Sequence, residues 1–342
     1  MLDIDNLRVN FEAKVLQADK VILVPHKLAD FDAIGSAIGL SLAVSKLKKT
    51  SMIIIDDKPY ELDRGVQAII RESRAEHHIV TKNKYLSKAT EDDLFVMTDV
   101  NKSYLITVAD LMKDPERVLI LDHHEGDDKT VDSNYQYIDG TMSSASEAVT
   151  KLLLKMKIKI PKNIANYLLA GIYLDTNKLT KNIGDETYLI AQRLKEVGAD
   201  PNHVMELFTE DYDSDRRVQE LISKQKIIVY KISLMLAEEL DEYTTKELAK
   251  AADYALNYDV NASFTVGRIS DEIVGVSARS RNTIDIDRAM KALCKEMEQL
   301  NKGGGTSGSG AAKFDSTQVE EVGKKLELIL KPSCCIEKKT ES

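Results

Sequence analysis

The first half of the chain alternates short apolar runs with amphipathic stretches. Residues 20–25 (KVILVP), 51–56 (SMIIID), 93–100 (DLFVMTDV) and 117–124 (RVLILDHH) are apolar segments of strand length. Such runs belong to strands buried on both faces. Helical patterns such as AIGSAIGLSLAVSKL lie between them. This alternation predicts an α/β fold with a parallel sheet flanked by helices. Ligands in such sheets gather at the carboxyl ends of the strands. All four runs end in or beside acidic residues or histidines.

Further along, TMSSASEAVTKLLLKM (141–156) pairs Ser144 with Glu147 in a capping-box spacing and continues at helical period. NIANYLLAGIYLDT reads as a helix that reaches Asp175. After VGADP (197–201) a charged, helical connector runs to about residue 223. The pattern then changes. KIIVYKISLMLAEE reads as a strand, TTKELAKAADYALNY as a helix and ASFTVGRISDEIVGVSARS as a hairpin. A helix over 286–300, the loop GGGTSGSGAAKF and a helix over 316–330 follow. The expected organisation is a first α/β domain at 1–200, a helical connector at 201–224 and a smaller mixed-sheet α/β domain at 225–332. A cleft is expected between the two domains, and residues 333–342 form a polar, disordered tail.

Composition narrows the function classes. A chain of 342 residues is comfortable for two domains. Its formal charge of −9 argues against gripping long nucleic acid through phosphate neutralisation. A small nucleotide stays open, because a bound metal supplies positive charge locally. Of three cysteines, Cys334 and Cys335 sit in the tail and Cys294 on an amphipathic helix, where it suits core packing. That usage fits a reducing, cytoplasmic setting without a disulfide framework. No apolar run reaches the roughly 18 residues of a membrane span.

The candidate chemistry is a set of acidic and imidazole groups at strand or helix ends: His26, Asp30, Asp32, Asp99, Asp122, His123, His124 and Asp175. Nitrogen and carboxylate donors in this mixture suit a divalent ion such as Mn²⁺. Several carboxylates together invite two ions, which activate water for in-line displacement at phosphorus. Each group has a plainer reading. A lone aspartate such as Asp32 more often caps a helix, and a pair such as His77–His78 more often forms a solvated face. No role is assigned to that pair or to His203. Four coincident motifs outweigh these readings.

Those motifs resemble the DHH phosphoesterases: HKLADFDAIG, MTDVNK, LDHH and AGIYLDTNKLT, supported by SSASEAVTKLL, GADP and GVSARS. The second domain resembles the DHH-associated substrate domain of RecJ-like nucleases and nano-RNases. The wording of DHHEGDD, TMSSASEAVTKLL and YLDTNKLT is closest to cyclic-di-AMP phosphodiesterases, whose catalytic half follows membrane, PAS and degenerate GGDEF regions. The expectation is either a soluble member or an excised catalytic fragment.

The resemblance implies a role for each residue. His26 and Asp30 hold one metal, Asp32, His123 and Asp175 the other, and Asp99 bridges them. Asp122 orients its neighbouring histidine, and His124 faces the phosphate. Ser277, Arg279 and Ser280, with Gly303, Gly304, Gly305 and Thr306, contact phosphate and nucleoside. Two departures touch substrate choice. Thr306 stands where the family's glycine loop has histidine, with about one extra residue before Ala311, and Asn101 stands where the second motif has histidine. The serine and glycines after Thr306 are expected to leave this loop flexible.

The leading expectation is a manganese-dependent phosphodiesterase that opens cyclic-di-AMP to linear pApA in bacterial signalling. Alternatives are a nano-RNase or 3′-phosphoadenosine-5′-phosphate phosphatase, and a weakly active sensor of adenine dinucleotides. A RecJ-like exonuclease on long DNA and a manganese pyrophosphatase rank lower. The oligomeric state is open, with a homodimer among the options.

Overall fold

A computed structural model describes residues 3–330 apart from 88, 91, 210, 282, 283 and 317. The tail at 333–342, with Cys334 and Cys335, lies outside the described residues. The chain divides into two compact units, Met1–Thr209 and Glu210–Ser342.

The first unit is built on six parallel strands: β1 (Val21–Val24), β2 (Ser51–Ile55), β3 (Ile79–Thr81), β4 (Leu94–Thr98), β5 (Val118–Asp122) and β6 (Tyr135–Ile138). Their order is β3-β2-β1-β4-β5-β6, and every neighbouring pair is parallel. The four apolar runs form its centre. β3 and β6, not anticipated from the pattern, are short strands at its two edges. Its helices are α1 (Ile4–Gln17), α2 (Phe31–Lys46), α3 (Arg64–Ser73), α4 (Lys82–Leu86), α5 (Ala145–Lys155), α6 (Lys162–Asp175), α7 (Thr187–Glu196) and α8 (Pro201–Leu207).

Alternate residues of each strand feed two cores. Val21 and Leu23 join a large cluster with α1, α2, α5 and α6. Ile22 and Val24 join a smaller one with Tyr85 of α4 and Ile106 and Val108 of the irregular segment after β4. Helix α2 is buried along nearly its whole length, from Phe31 to Val44. It can sit there because glycines let α6 approach. A Cβ on Gly35 would meet the Tyr167 carbonyl oxygen at 2.5 Å, and one on Gly171 would meet Asp32 Oδ1 at 2.6 Å. Close backbone approach is what glycine uniquely permits.

Helix α5 starts as expected at Ser144, whose hydroxyl accepts the Glu147 N–H at 3.1 Å. The reciprocal half of the box is absent. The Glu147 carboxylate turns to the Ser143 and Thr187 hydroxyls, 2.6 and 2.7 Å away, and to Lys151 at 3.0 Å. It ties α5 to α7 instead of capping α5.

The second unit contains α9 (Tyr212–Ser223), α10 (Thr245–Ala255), α11 (Ile286–Glu296) and α12 (Val319–Ile329). Its sheet has the order β11-β12-β10-β9-β8-β7. These strands are β7 (Lys226–Ile228), β8 (Ile232–Leu236), β9 (Ala262–Ser270), β10 (Ile273–Ser280), β11 (Gly303–Gly305) and β12 (Ser309–Asp315). Only β8 and β9 pair in parallel; the other pairs are antiparallel. Helices α11 and α12 pack into one apolar cluster with the sheet, and α9 and α10 into another.

Three expectations change here. The single strand read over KIIVYKISLMLAEE is a hairpin, because Tyr230 and Lys231 take left-handed φ values of 58° and 56° and reverse the chain. The glycine loop is also a hairpin: β11 pairs with β12 from Gly303–Ala312 to Gly305–Gly310. Lastly, the stretch read as a connector contains two helices packed into different units. Val204 of α8 belongs to the first core, and Val218, Leu221 and Ile222 of α9 to the second unit.

Candidate metal centre

The strand order of the first sheet reverses between β1 and β4, where connections leave in opposite directions and open a crevice at the carboxyl ends. His26 follows β1, Asp99 follows β4, and Asp122 ends β5, with His123 and His124 directly after it. Asp99 has φ +58°, a left-handed conformation that aspartate tolerates better than most residues. Its N–H donates to the Leu121 carbonyl at 3.1 Å, so the turn is fixed by the neighbouring strand.

Helices supply the remaining carboxylates. Asp30 caps α2, its Oδ1 accepting the Asp32 and Ala33 N–H groups at 2.9 and 3.1 Å. Its Oδ2 lies 3.6 Å from His26 Nε2. Asp32, in the first turn of α2, does not cap its own helix. Both its oxygens accept amides from the start of α5, Ala145 and Ser146, each at 2.7 Å. Asp175 closes α6, an unfavourable place for an anion because the helix dipole is negative there. A left-handed run at Asn177, Lys178 and Leu179 follows it, braced by the Thr176 hydroxyl accepting the Leu179 N–H at 2.9 Å.

The potential ligand atoms fall into groups that share one residue. His26 and Asp30 group with Asp99, Asp32, His123 and Asp175 group with the same Asp99, and Asp122, His123 and His124 form a third group with it. His26 Nε2 is 3.6 Å from Asp99 Oδ2. His123 Nε2 is 3.3 Å from Asp99 Oδ1, 3.4 Å from Asp175 Oδ2 and 4.0 Å from Asp32 Oδ2.

These residues fit divalent ions, and the test lies in their unsatisfied atoms. Asp99 Oδ1, His123 Nε2 and Asp175 Oδ2 are buried without a hydrogen-bond partner. Buried polar atoms are ordinarily paired, so three converging orphans mark a place for a ligand. The electrostatics agree. Burial, reinforced by Asp32, Asp99 and Asp30, pushes the Asp175 carboxyl up to about 11. Burial and the Asp99 charge raise Asp32 to about 7, although His123 opposes them. Burial would lower both imidazoles, but Asp30 and Asp99 lift His26 to about 10, and Asp99 and Asp32 lift His123 to about 9. The carboxylate cluster gathers protons where positive charge is missing, and a cation reverses that balance.

Asp122 works differently from the expectation. It does not touch the His123 ring; its Oδ1 accepts the His123 backbone N–H at 2.8 Å and lies 2.9 Å from His124 Nδ1. The imidazole it orients is therefore that of His124, whose side chain is 59% exposed. Asn101, noted in the sequence only as a departure, is buried and donates to Asp122 Oδ2 at 2.6 Å and to the His124 carbonyl at 2.9 Å. It holds Asp122 in place.

His77 also departs from its plain reading. It is only 4% exposed, with Nδ1 3.0 Å from the Ser41 hydroxyl. His203 is exposed beside Glu206, and Cys294 is buried in the second unit's core.

In the second unit, a cavity of about 350 Å³ brings together Ser277, Arg279, Gly304, Gly305 and Thr306. Ser280 and Gly303 do not line it. Ser280 lies on the opposite face of β10 and accepts the Ile284 N–H at 3.1 Å; a Cβ on Gly303 would press on Ala312 at 2.5 Å. Arg279 Nε donates to Asp253 at 2.8 Å. The Gly305 N–H is taken by Asp287 Oδ1 at 3.0 Å, and the Thr306 hydroxyl accepts the Gly308 and Ser309 N–H groups at 3.3 and 3.2 Å. The expected flexible loop is a closed turn. Sequence reasoning missed Asp253 and Asp287, because nothing local marks a helix aspartate that reaches a distant strand.

Comparison with known proteins bears on both units. Residues 20–172 match the DHH family, N-terminal domain, and residues 224–331 match the DHHA1 domain. The chain is 31% identical over 319 residues to the cyclic-di-AMP phosphodiesterase GdpP of Bacillus subtilis, covering 90% of this chain and 47% of that protein. It is 22% identical over 195 residues to the bifunctional oligoribonuclease and PAP phosphatase NrnA of Mycoplasma pneumoniae, covering 54% of this chain and 57% of that one. The chain thus spans about half the length of these relatives. The solved structure of an exopolyphosphatase-related protein from Bacteroides fragilis shares the fold, with a TM-score of 0.74, 22% identity and coverage of 95% and 96%.

Proposed function

The chain carries the N-terminal domain of the DHH family followed by a DHHA1 domain, and on that premise we propose that it hydrolyses a phosphodiester of a small adenine dinucleotide. Cyclic-di-AMP is the preferred substrate in this reading and linear pApA the product. The observation that carries it is the sharing of Asp99 between ligand groups, with Asp99 Oδ1, His123 Nε2 and Asp175 Oδ2 buried and without partners. Likeness to GdpP supports the choice of substrate.

His26 and Asp30 on one side and Asp32, His123 and Asp175 on the other, with Asp99 in both groups, would hold divalent ions, Mn²⁺ among the candidates; such ions would supply a nucleophilic water and neutralise charge developing at phosphorus. Asp122 keeps the Nδ1–H of His124 engaged, which leaves Nε2 to face the phosphate. The Asp122 hydrogen bond raises the His124 pKa, so that Nε2 can carry a proton. As water adds to phosphorus it releases a proton to solvent, the P–O3′ bond breaks, and the His124 proton passes to the departing 3′-oxygen. Arg279 offers its guanidinium to a phosphate, a charge-assisted contact, with Ser277 beside it.

A second reading, a nano-RNase or phosphoadenosine phosphate phosphatase, is favoured by the likeness to NrnA and by Thr306, whose hydroxyl is spent on its own turn. Incubation with Mn²⁺ or Mg²⁺ and a panel of cyclic-di-AMP, cyclic-di-GMP, linear diadenylate and phosphoadenosine phosphate, followed by chromatography, separates the readings. Turnover of cyclic-di-AMP well above the rest is expected; faster turnover of the linear compounds selects the second reading. Binding without turnover by any substrate removes both.

A further inference from the structure

The first unit has a cavity at the amino ends of its strands, whereas the candidate metal centre lies beyond their carboxyl ends. This cavity measures about 550 Å³, within the range of small-molecule sites. Its lining includes Lys20, Arg71, Arg74 and Lys84 and no carboxylate. The four cations come from separate places: the residue before β1, the last turn and C-terminal end of α3, and α4. In a chain of net charge −9, such a concentration of one sign is selective.

A plainer account exists for part of this. A basic residue in the last turn of a helix favours the helix dipole, which suffices for Arg71 on α3. It does not explain why Lys20 and Lys84 face the same cavity from other elements. Ion pairing accounts for Lys20, which pairs with Asp93, but not for Arg71 or Lys84, because among the described residues neither has an acidic partner within 4.0 Å. Two of the cations are also held in place. Arg74 Nε donates to the Ile79 carbonyl at 3.3 Å, leaving the rest of its fork. Lys20 lies 3.4 Å from the buried Asp93, itself fixed by Tyr85 and Thr90. Met52, Ile79 and Val80 add apolar lining.

We propose that this cavity binds a phosphorylated small molecule of nucleotide size, its phosphates among the four cations and its less polar part on the apolar lining. Preorganised arginine forks suit phosphate oxygens, and clustered charge draws anions from solution. The site is independent of the metal centre and of the reaction assigned to it.

The test is site-resolved hydrogen–deuterium exchange on the full chain in excess Mg²⁺, with α,β-methylene-ADP and inorganic pyrophosphate as probes. Slowed exchange across residues 71–84 is expected, with half-saturation at a lower concentration of the nucleotide analogue. Arg71→Glu with Lys84→Glu should raise that concentration by at least about tenfold, as lost charge-assisted contacts require. Arg71→Lys with Lys84→Arg should keep protection, which separates charge from folding. No protection of residues 71–84 in the wild type, or equal protection in the charge-reversed variant, overturns the proposal.

Discussion

His123 Nε2 and Asp99 Oδ1 face each other at 3.3 Å, yet neither buried atom has a hydrogen-bond partner. The strands bring them together, and their own interaction does not satisfy them. Asp99→Asn tests what they are for. Asparagine tolerates the left-handed backbone at this position, so the fold should survive. An amide neither bridges two cations nor neutralises them. Turnover should fall by at least about a hundredfold, and metal content by mass spectrometry should drop. Near wild-type turnover in saturating Mn²⁺ would refute the role given to Asp99.

Protons and metal should compete for the cluster. Asp175, raised to about 11 by burial and neighbouring carboxylates, holds a proton in the folded chain that the unfolded chain loses above about pH 4. His26 and His123, raised to about 10 and about 9, act in the same sense. For a raised pKa the contribution is complete below the unfolded value and is lost as pH climbs through the folded one. The thermal midpoint of chelated protein should therefore decline between about pH 5 and pH 8. Metal-loaded protein should lack that decline, since the ions replace the protons. A chelated midpoint that rises over the interval contradicts the argument.

Gly171→Ala should damage the centre from behind. The new Cβ would lie 2.2 Å from Ser146 Oγ, 2.6 Å from Asp32 Oδ1 and 2.9 Å from Asp32 Cα. Overpacking of this kind costs about 1–3 kcal/mol, read by denaturant unfolding. Because Asp32 must move, calorimetric Mn²⁺ affinity should weaken as well. Wild-type affinity in this variant would show that Asp32 is no ligand.

Arg279→Ala should raise KM by about one to two decades, the worth of a charge-assisted contact. Metal binding should be unchanged. Asp253→Asn should move KM the same way by less, because that aspartate only positions the guanidinium. Steady-state kinetics on the substrate panel decides the matter; unchanged KM and kcat for every substrate excludes Arg279 as a contact.

Much of the first unit was legible because each central strand is short and apolar, and three of the four lead into candidate ligand residues. The edges were harder. β3 and β6 carry little continuous hydrophobicity, since an edge strand needs only one paired side. Hairpins at Tyr230 and at Thr306 escaped for opposite reasons. Tyr230 and Lys231 reverse the chain without a glycine, whereas the glycines around Thr306 suggested mobility and conceal a paired ladder. The role of Asp122 was misread by one residue, because a carboxylate beside two histidines does not say which ring it reaches. Glu147 shows the same limit: its spacing to Ser144 satisfied a local rule, while Thr187, forty positions on, took its oxygen.

The parallel sheet also dictates when the centre can come into being. Its candidate ligand residues run from His26 to Asp175, so they converge only after β1, β4, β5 and α6 have docked. Pairings this distant in sequence form late, because chain closure must precede their reward. An ion therefore finds no competent site early in folding and cannot act as a template. Its stabilisation falls almost wholly on the native side of the barrier, where contacts slow escape and leave arrival unchanged. A bound metal would act as a clasp on a finished structure: its removal should shorten the lifetime of the folded state while refolding proceeds at its usual pace.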